Sequence, residues 1–406
     1  MLAQHHPFLD ARIFKKEARS LVKAGYDVTL VMPRKNGLLH NIDGTPFHDR
    51  FLEPSFVHEG IRIVTYEDDL RHNVDQIVAN SQSPRPIDIS LNRLTETGLN
   101  IEAEIYHAHE FLSLYAGACI KRELRARGKH VKLIYDSHEF TPDPYGKIDP
   151  TRKAKLHVAL LECLKEVDHL ITVSDAMKTW YQTMMPTLRT EVIYNSPALS
   201  QTYIPKTYDK PNITVYYEGN VDTDRGNTEK IIAITEGGNQ FMDLTFKIIG
   251  GVRSHETFVV PPHLQHKLVT TGWVEYEAIP SHMTDVDIGW IDYKLTHTLN
   301  HMFALPNKFF SCLSNGVPVI VNKCHEMERI IRQHRCGLVI DKPEATAEEY
   351  VQAIHYLHVR RPLLKEMSVN ARKAMEEYYS WEHMEQRLLE VYKRVQKPNY
   401  LKYTMY

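Results

Sequence analysis

Charged residues and glycines follow an apolar run near the middle of the chain, and their types suit an anionic ligand. The segment GNVDTDRG, from Gly219 to Gly226, comes directly after ITVYY and leads into a helical pattern. A glycine at the end of a strand lets the backbone approach a phosphate, and Arg225 adds a fixed positive charge near a helix N-terminus. The same residues also suit an ordinary turn between a strand and a helix.

Two acids within this segment raise the question of a metal ion. Asp222 and Asp224 form a DxD pair, and converging carboxylates are the ligands that divalent cations such as Mg²⁺ and Ca²⁺ prefer. Exposed acids ahead of a helix more often cap it or interact with its dipole. We therefore interpret the pair as part of the turn and predict no metal site.

A second anion site is indicated by the segment ALPNKFFSCLSNGVPVIV. Pro306 can fix a first helical turn, in which the amides of Asn307 and Lys308 have no partner inside the helix. Lys308 also places a cation beside those amides. The alternative is a structural helix that carries a lysine by chance.

Histidines and acids occur together at the ends of two predicted strands, in YHAHE (residues 106–110) and YDSHE (residues 135–139). Open α/β sheets carry their ligand groups at the carboxyl ends of strands. The HxHE spacing is also found in zinc sites, but the sequence shows no third ligand, and 23 histidines make chance pairs common. We interpret both segments as polar walls of a ligand cleft, with a plain loop as the alternative.

The elements that position these residues follow an alternating pattern. Short apolar runs rich in Val and Ile alternate with longer helical patterns, which is typical of an α/β protein with parallel sheets. Only residues 1–3 remain for a first strand, so this strand is abbreviated or the chain is truncated. Strands are predicted over residues 26–32, 61–66, 105–108, 131–135, 169–173, 191–194, 213–217, 245–249, 268–271, 286–290, 317–321 and 337–340. Helices are predicted over residues 11–24, 112–127, 152–167, 175–184, 227–235, 276–283, 307–314 and 347–357.

The chain is long enough for two domains. A proline-containing segment without periodicity, SPALSQTYIPKTYDKPN, divides two series of strands and indicates a linker. We predict one domain over residues 1–200, a second over residues 201–378, and a packing helix over residues 379–397. Both domains are predicted to be doubly wound and to face each other across a ligand cleft.

Composition excludes several classes of protein. Lys and Arg (49) nearly balance Asp and Glu (51), so no basic field for a nucleic-acid partner exists. The five cysteines form no CxxC pair, which indicates reduced thiols in the cytoplasm. There is no apolar signal region and no run long enough for a membrane span. Motifs for dinucleotide binding, P-loops and hydrolase elbows are also absent.

Two basic stretches remain, over residues 12–23 and 121–132. Clustered lysine and arginine can hold a protein at an anionic lipid surface. We favour an ordinary solvated face and keep peripheral contact with the inner membrane face as the alternative.

Taken in order, the segments of the chain resemble the family 4 glycosyltransferases. The similar segments are DARIFKKEARSLVKAGYDVTLV, IYHAHE, LIYDSHE, VDHLITVS, VIYNSP, YYEGNVDTDRG, FKIIGG, LVTTGWVEYEAIPSHMTDVDIGW and LPNKFFSCLSNGVPVI, which cover nearly the whole chain. Members of this family are retaining enzymes with two Rossmann-like domains, the GT-B fold. The resemblance implies a nucleoside-diphosphate sugar, UDP- or GDP-linked, in the second domain. It also implies a sugar, lipid-linked or other acceptor in the first, and a last helix that crosses back.

Matched by position, the resemblance assigns roles to individual residues. Gly219 faces the donor phosphates, Arg225 and Lys308 grip them, and His109 lies near the transferred sugar; we take the last three as the catalytic residues. The remaining donor-binding residues are Asn220, Gly272, Trp273, Val274, Asn307 and Ser311.

Three positions depart from the family pattern. The two glutamates that the family often carries eight positions apart are Phe303 and Ser311 here, and Asn220 replaces a usual arginine. A serine hydroxyl can still bond a ribose hydroxyl, and Lys308 can supply the missing charge.

The sequence therefore predicts a metal-independent, retaining glycosyltransferase that needs no cofactor besides its donor substrate. Cell-surface glycan or glycoside biosynthesis is the expected setting. A nucleotide-sugar 2-epimerase and a non-catalytic sugar-nucleotide-binding or partner subunit are the alternatives.

Overall fold

The computed structural model describes residues 1–68, 73–85, 92–141, 143, 148–201, 203–221, 227–251, 258–294 and 298–397. The chain divides into two compact units. The first contains Met1–Ile193 together with the chain from Glu385 to the last described residue, Lys397, and the second contains Tyr194–Met384. The chain therefore returns to the first unit near its end.

The first unit alternates strands and helices. Its strands are β1 (Leu2–Ala3), β2 (Thr29–Arg34), β3 (Ser55–His58), β4 (Ile61–Glu67), β5 (Ile105–His109), β6 (Lys132–Ser137), β7 (His169–Thr172) and β8 (Thr190–Val192). A π-helix (Ile13–Ala18) runs into α1 (Arg19–Lys23), followed by α2 (Val74–Gln82), α3 (Arg93–Leu99), α4 (Glu110–Ala126), α5 (Pro150–Leu164) and α6 (Asp175–Met184).

These strands form one sheet in the order β3-β4-β2-β1-β5-β6-β7-β8. All neighbouring pairs are parallel except β3 with β4. Strand β7 is buried along its whole length, as expected when helices cover both faces of a sheet. The strand order changes direction between β1 and β5, where open α/β sheets place their ligands.

The second unit has the same construction. Its strands are β9 (Ile213–Asn220), β10 (Leu244–Gly251), β11 (Leu268–Thr270), β12 (Ile288–Ile291), β13 (Val319–Asn322) and β14 (Gly337–Ile340). Its helices are α7 (Thr228–Gly238), α8 (Leu299–Met302), α9 (Asn307–Ser314), α10 (His325–His334), α11 (Ala347–His358) and α12 (Arg361–Ala374). Two 3₁₀ segments (Pro262–Leu264 and Tyr276–Met283) and a second π-helix (Met375–Tyr379) complete it, and α13 (Trp381–Gln396) follows.

The second sheet is parallel throughout its described strands, in the order β11-β10-β9-β12-β13-β14. This is the strand order of a Rossmann fold, in which the direction of winding reverses between β9 and β12. The predicted α/β class with two Rossmann-like units is confirmed.

Several element predictions need correction. Residues 11–24 do not form one α-helix, because Asp10 Oδ1 accepts the amides of Arg12 and Ile13 and the chain then takes a π-helical turn. Residues 276–283 form a 3₁₀ segment, since Pro280 lacks the N–H that an α-helix needs there. The sequence pattern does not predict the edge strand β3 or the helices α2, α3, α8, α10 and α12.

Candidate functional site

Glycines with positive φ occupy the carboxyl ends of three adjacent strands in the second unit. Gly219 pairs with Gly250, and Gly250 donates its N–H to the carbonyl of Gly272 at 2.9 Å. Their φ angles are +112°, +123° and +74°, which side chains other than glycine rarely adopt. A Cβ on Gly250 would lie only 2.2 Å from the oxygen of Gly219. This edge of the sheet therefore requires bare backbone, which a ligand can approach closely.

Lys308 lies beside the first of these glycines. Its Nζ is 3.6 Å from the point where a Cβ on Gly219 would be, and 3.7 Å from the ring centre of Tyr217. Lys308 is the second residue of α9, which begins at Asn307 directly after Pro306, as predicted. The positive end of the α9 dipole, the ammonium group and the Gly219 backbone together favour an anion at this position.

A carboxylate that the sequence analysis did not single out lies next to the predicted Ser311. Glu218 accepts a hydrogen bond from the Tyr216 hydroxyl at 3.0 Å. The Ser311 hydroxyl lies close enough to interact with this carboxylate, and it donates to the Met283 sulfur at 3.8 Å. Burial raises the pKa of Glu218, and its interactions with Ser311 and Tyr216 and the charge of Lys308 oppose this rise. The signal in the sequence was an acid directly before a glycine at the end of a strand, in YYEGN.

The other predicted donor residues of this unit lie along the same edge. Asn220 pairs with Gly251 at the ends of β9 and β10, and Trp273 Nε1 is 3.6 Å from the position of a Cβ on Gly251. Gly272 and Val274 flank this half-buried tryptophan. The indole therefore lies against the backbone of the second strand end and offers an aromatic face there.

The remaining predicted positions of this unit do not all fall within the described residues. Arg225, Asp222 and Asp224 lie outside the described residues. Phe303, one of the two positions at which a family glutamate is replaced, is half-buried at the end of α8.

Residues of the first unit form a buried polar cluster where the strand order reverses. The Arg12 guanidinium donates to both carboxylate oxygens of Asp136, each at 2.9 Å, and its Nε is 2.9 Å from Glu17 Oε1. The imidazoles of His107 and His109 stack with centroids 4.4 Å apart. His109 Nδ1 is 3.4 Å from Asp136 Oδ2, and its side chain is 0% exposed. The predicted sugar-side histidine is therefore enclosed by other polar side chains of this unit.

Three further side chains border this cluster and are partly exposed. His138 Nε2 is 2.8 Å from Asp136 Oδ2, and the backbone amides of His138 and Glu139 both donate to Glu110 Oε1. Glu110 takes a left-handed backbone conformation, with φ of +68°, to reach these amides. Strained backbone of this kind is often found at functional sites.

Burial and ion pairing set the charges in the cluster. Although burial opposes it, the adjacent Arg12 guanidinium holds the pKa of Asp136 well below its usual range. Burial lowers the pKa of His109 to about 3, against the attraction of Asp136. Burial and the nearby Asp136 raise the pKa of Glu17, against the attraction of Arg12. At neutral pH the cluster therefore contains an Arg12–Asp136 ion pair and a neutral His109.

Comparison with known proteins identifies both units. The model of Glycosyltransferase Family 4 matches residues 11–197, and that of a glycosyl transferase-like family matches residues 235–390. The chain is a glycosyltransferase whose first unit matches Family 4. No curated protein matches this glycosyltransferase in sequence.

Solved structures share its fold across almost the whole chain. Sucrose-phosphate synthase from Thermosynechococcus elongatus has a TM-score of 0.66 at 13% identity, covering 94% of this chain and 92% of its own. HepE of Anabaena in complex with UDP-glucose has a TM-score of 0.61 at 14% identity, covering 90% and 99%. A glycosyltransferase from Rickettsia africae has a TM-score of 0.60 at 14% identity, covering 94% and 93%. The GT-B fold and the enzyme class predicted from the sequence are confirmed.

Ion pairs account for most of the basic stretches of this glycosyltransferase. In the second stretch, Lys121 pairs with Asp168, and both Arg122 and Arg125 pair with Glu166. In the first stretch, Arg12 is buried against Asp136, Arg19 pairs with Glu59 and Lys23 pairs with Glu385. These pairs favour an ordinary surface over a lipid-binding patch. None of the described helices is long and apolar enough to cross a membrane.

Proposed function

We propose that this glycosyltransferase transfers a sugar from a nucleoside-diphosphate sugar to an acceptor, with retention and without a metal ion at the diphosphate. One observation carries the proposal. Bare backbone at Gly219, Gly250 and Gly272 meets the Lys308 ammonium at the start of α9. Backbone amides, a helix dipole and a cation can hold a diphosphate without a metal.

UDP is the nucleotide that we propose first. Crystal structures of Anabaena HepE, a protein of similar fold, contain UDP, glucose or UDP-glucose. In the present chain, Trp273 with Gly272 and Val274 offers an aromatic surface for a base. We assign Ser311 and Glu218 to the ribose, because a carboxylate next to a phosphate site repels phosphate but accepts hydrogen bonds from a sugar diol. GDP is the alternative nucleotide.

The reaction concentrates negative charge on the departing diphosphate. Breaking the glycosidic bond places the bonding electron pair on the terminal phosphate oxygen, and groups that stabilise this charge more than that of the intact donor accelerate the step. Lys308, Arg225 and the amide of Asn307 are the groups that we propose for this role, with Gly219 and Asn220 forming the floor of the phosphate site. Retention rests on the family resemblance.

On the acceptor side, we assign His109 a positioning role in place of direct contact with the sugar, because its imidazole is wholly buried. It holds Asp136, and Asp136 in turn holds the partly exposed His138 at 2.8 Å. We propose that His138 contacts the acceptor sugar, whether that sugar is free, lipid-linked or part of a larger glycan.

The setting that we propose is the cytoplasm, in the synthesis of a cell-surface glycan or a glycoside. All five cysteines are free and buried, which suits a reducing compartment. We do not propose a membrane-binding patch, since the cations that suggested it are paired with acids.

A screen of nucleoside diphosphates and their sugars by thermal shift tests the donor. We expect UDP, UDP-sugars or their guanosine counterparts to raise Tm in a concentration-dependent manner, because a ligand of the folded state stabilises it by mass action. The stabilising donor is then incubated with a panel of sugar acceptors, and products are read by mass spectrometry. Turnover should be unchanged by EDTA and by added Mg²⁺ or Mn²⁺.

Three results would contradict this function. Donor binding without turnover on any acceptor indicates a non-catalytic subunit. Conversion of the donor alone to its 2-epimer indicates an epimerase. Loss of turnover in EDTA that Mg²⁺ or Mn²⁺ restores contradicts the metal-free diphosphate site.

A further inference from the structure

Three buried polar atoms of the first unit face one another without a hydrogen-bond partner among the described residues. They are Oε2 of Glu17, Nε2 of His107 and Nε2 of His109, and none of these side chains is more than 1% exposed. An unsatisfied buried polar atom costs roughly 1–3 kcal/mol. Three such atoms at one place indicate a ligand that they share.

Their separations suit a metal ion better than direct hydrogen bonds. Glu17 Oε2 is 3.8 Å from His107 Nε2 and 4.0 Å from His109 Nε2, which is too long for a hydrogen bond. Two ligands on a tetrahedral ion with bonds of ~2.1 Å are about 3.4 Å apart. Asp136 Oδ2 lies 3.9 Å from His107 Nε2, and one ligand atom from each of the four residues fits within 4.8 Å of the others. Small side-chain shifts would therefore bring all four onto one ion.

The Nδ1 atoms of His107 and His109 each already have a polar neighbour. His107 Nδ1 is 3.0 Å from the Tyr392 hydroxyl of α13, and His109 Nδ1 is 3.4 Å from Asp136 Oδ2. Histidines that bind a metal through one ring nitrogen usually hydrogen-bond through the other to a carboxylate or similar group. Both rings are thus oriented with Nε2 towards the shared point.

The backbone explains why these residues meet. His107 and His109 are two residues apart on β5, so both side chains point to the same face of the sheet. Glu17 comes from the π-helix that follows β1, the neighbour of β5. Short π-helical turns are rare and often occur at functional sites.

The charges also suit a divalent cation. Arg12 adds one positive charge near the site, 2.9 Å from Glu17 Oε1, and is bound by both oxygens of Asp136. The two carboxylates therefore offset Arg12 and part of the charge of the ion, while the imidazoles bind as neutral ligands.

We infer that Glu17, His107 and His109 form a site for a divalent transition ion of the zinc class. Asp136 serves as a fourth ligand or as the hydrogen-bond partner of His109. Nitrogen and carboxylate ligands in this number are typical of zinc. The ion joins the first helical segment to β5 and, through Tyr392, to α13, so its role is to hold the first unit together. The residues proposed for the diphosphate belong to the second unit.

The test uses full-length protein without a histidine tag, produced with zinc in the medium and dialysed against EDTA at neutral pH. Mass spectrometry of the metal content should give about one zinc per chain. In competition with a chromogenic chelator, Glu17→Gln and His107→Gln should bind zinc at least a hundredfold more weakly than the wild type. Tyr392→Phe should weaken binding about tenfold, because it removes the group that orients His107.

A matched control is His263→Gln. His263 also faces a carboxylate, that of Glu236 at 2.7 Å, but lies on the surface of the second unit. It should bind zinc as the wild type does. The proposal is overturned if wild-type protein carries no zinc and shows no tight zinc binding, or if Glu17→Gln and Tyr392→Phe both bind as tightly as the wild type. If Glu17→Gln does not fold, zinc binding by Tyr392→Phe and the absorption spectrum of cobalt-loaded wild type test the proposal. A spectrum typical of octahedral cobalt with oxygen ligands alone would refute the site.

Discussion

Replacing Lys308 by methionine removes one positive charge from the proposed diphosphate site and leaves most of the packing in place. The lysine lies on the ring of Tyr217, with its Nζ 3.7 Å from the ring centre. A methionine side chain is unbranched and packs well against aromatic rings. The substitution therefore tests the charge more cleanly than alanine, which would leave a gap above a buried tyrosine.

The expected size of the effect follows from distance. An anion held on the Gly219 backbone would be about 4 Å from Nζ, where two unit charges interact by ~4 kcal/mol at an effective dielectric constant near 20. Desolvation of the two charges reduces this energy. Arg225, the other cation proposed for the diphosphate, compensates for part of the lost attraction in the variant. We expect a loss of ~2.7 kcal/mol in the transition state, which is about a hundredfold in kcat/KM. The Kd for the intact UDP-sugar should rise less, by about tenfold, since the leaving group gains its extra charge only as the bond breaks.

The measurements are titration calorimetry with UDP and with the intact UDP-sugar, and initial rates with the donor and acceptor found by the screen. Lys308→Arg keeps the charge and should retain most of the activity. Lys365→Met is the matched control, because this lysine is exposed on α12 of the same unit. Circular dichroism and thermal unfolding confirm that each variant is folded.

Lys308 does not bind the diphosphate if folded Lys308→Met keeps both UDP affinity and kcat/KM within about twofold of the wild type. The segment that contains Lys308 is then a structural helix, and the diphosphate must bind elsewhere. A loss shared equally by Lys308→Met and Lys365→Met would instead indicate a general effect of net charge on the donor.

Two further predictions concern Glu218 and His169. Glu218→Gln should weaken UDP binding about tenfold without weakening pyrophosphate binding, because the carboxylate is assigned to the ribose and repels phosphate. Calorimetry with both ligands checks this, and equal losses would contradict the assignment. Burial, with nearby Arg394, lowers the pKa of His169 from 6.5 to about 4. Between pH 4 and pH 6.5, His169 is therefore protonated in the unfolded chain and neutral in the folded chain. His169 alone should lower the free energy of unfolding by up to ~3 kcal/mol as the pH drops from 6.5 to 4. Other buried histidines such as His109 add to the decline in the same range. His169→Phe should therefore reduce the decline by up to that amount in urea titrations at pH 7, 5.5 and 4.5, whereas equal declines in wild type and variant would exclude His169 as a source.

Local sequence signals were sufficient to predict the helices whose ends are marked by capping groups or turn residues. Helix α6 is predicted and observed over Asp175–Met184, because the Ser174 side chain caps its first turn. Helix α9 agrees equally well, since Pro306 precedes it and Gly316, with φ of +60°, follows its end. Capping groups and turn residues act over a few residues and can be recognised from the sequence alone.

Elements that lack capping groups or turn residues at their ends were not predicted from the sequence. Strand β3 alternates exposed and half-buried residues at the edge of the sheet, so it lacks an apolar run. Among the described strands it pairs with β4 alone, as an antiparallel neighbour. The π-helix at Ile13–Ala18 buries a lysine and a glutamate, against the expectation for an amphipathic helix.

The sequence by itself determined the α/β class, the family, and the ends of strands where the glycines and histidines of the site occur. Only the tertiary structure placed Glu218 against Ser311, and Glu17 with Arg12 around His107 and His109. These partners are about ninety residues apart in the chain, and the order of strands in each sheet decides that they meet. A pattern of spacing cannot contain that information, because which strand ends become neighbours depends on the packing of the whole unit.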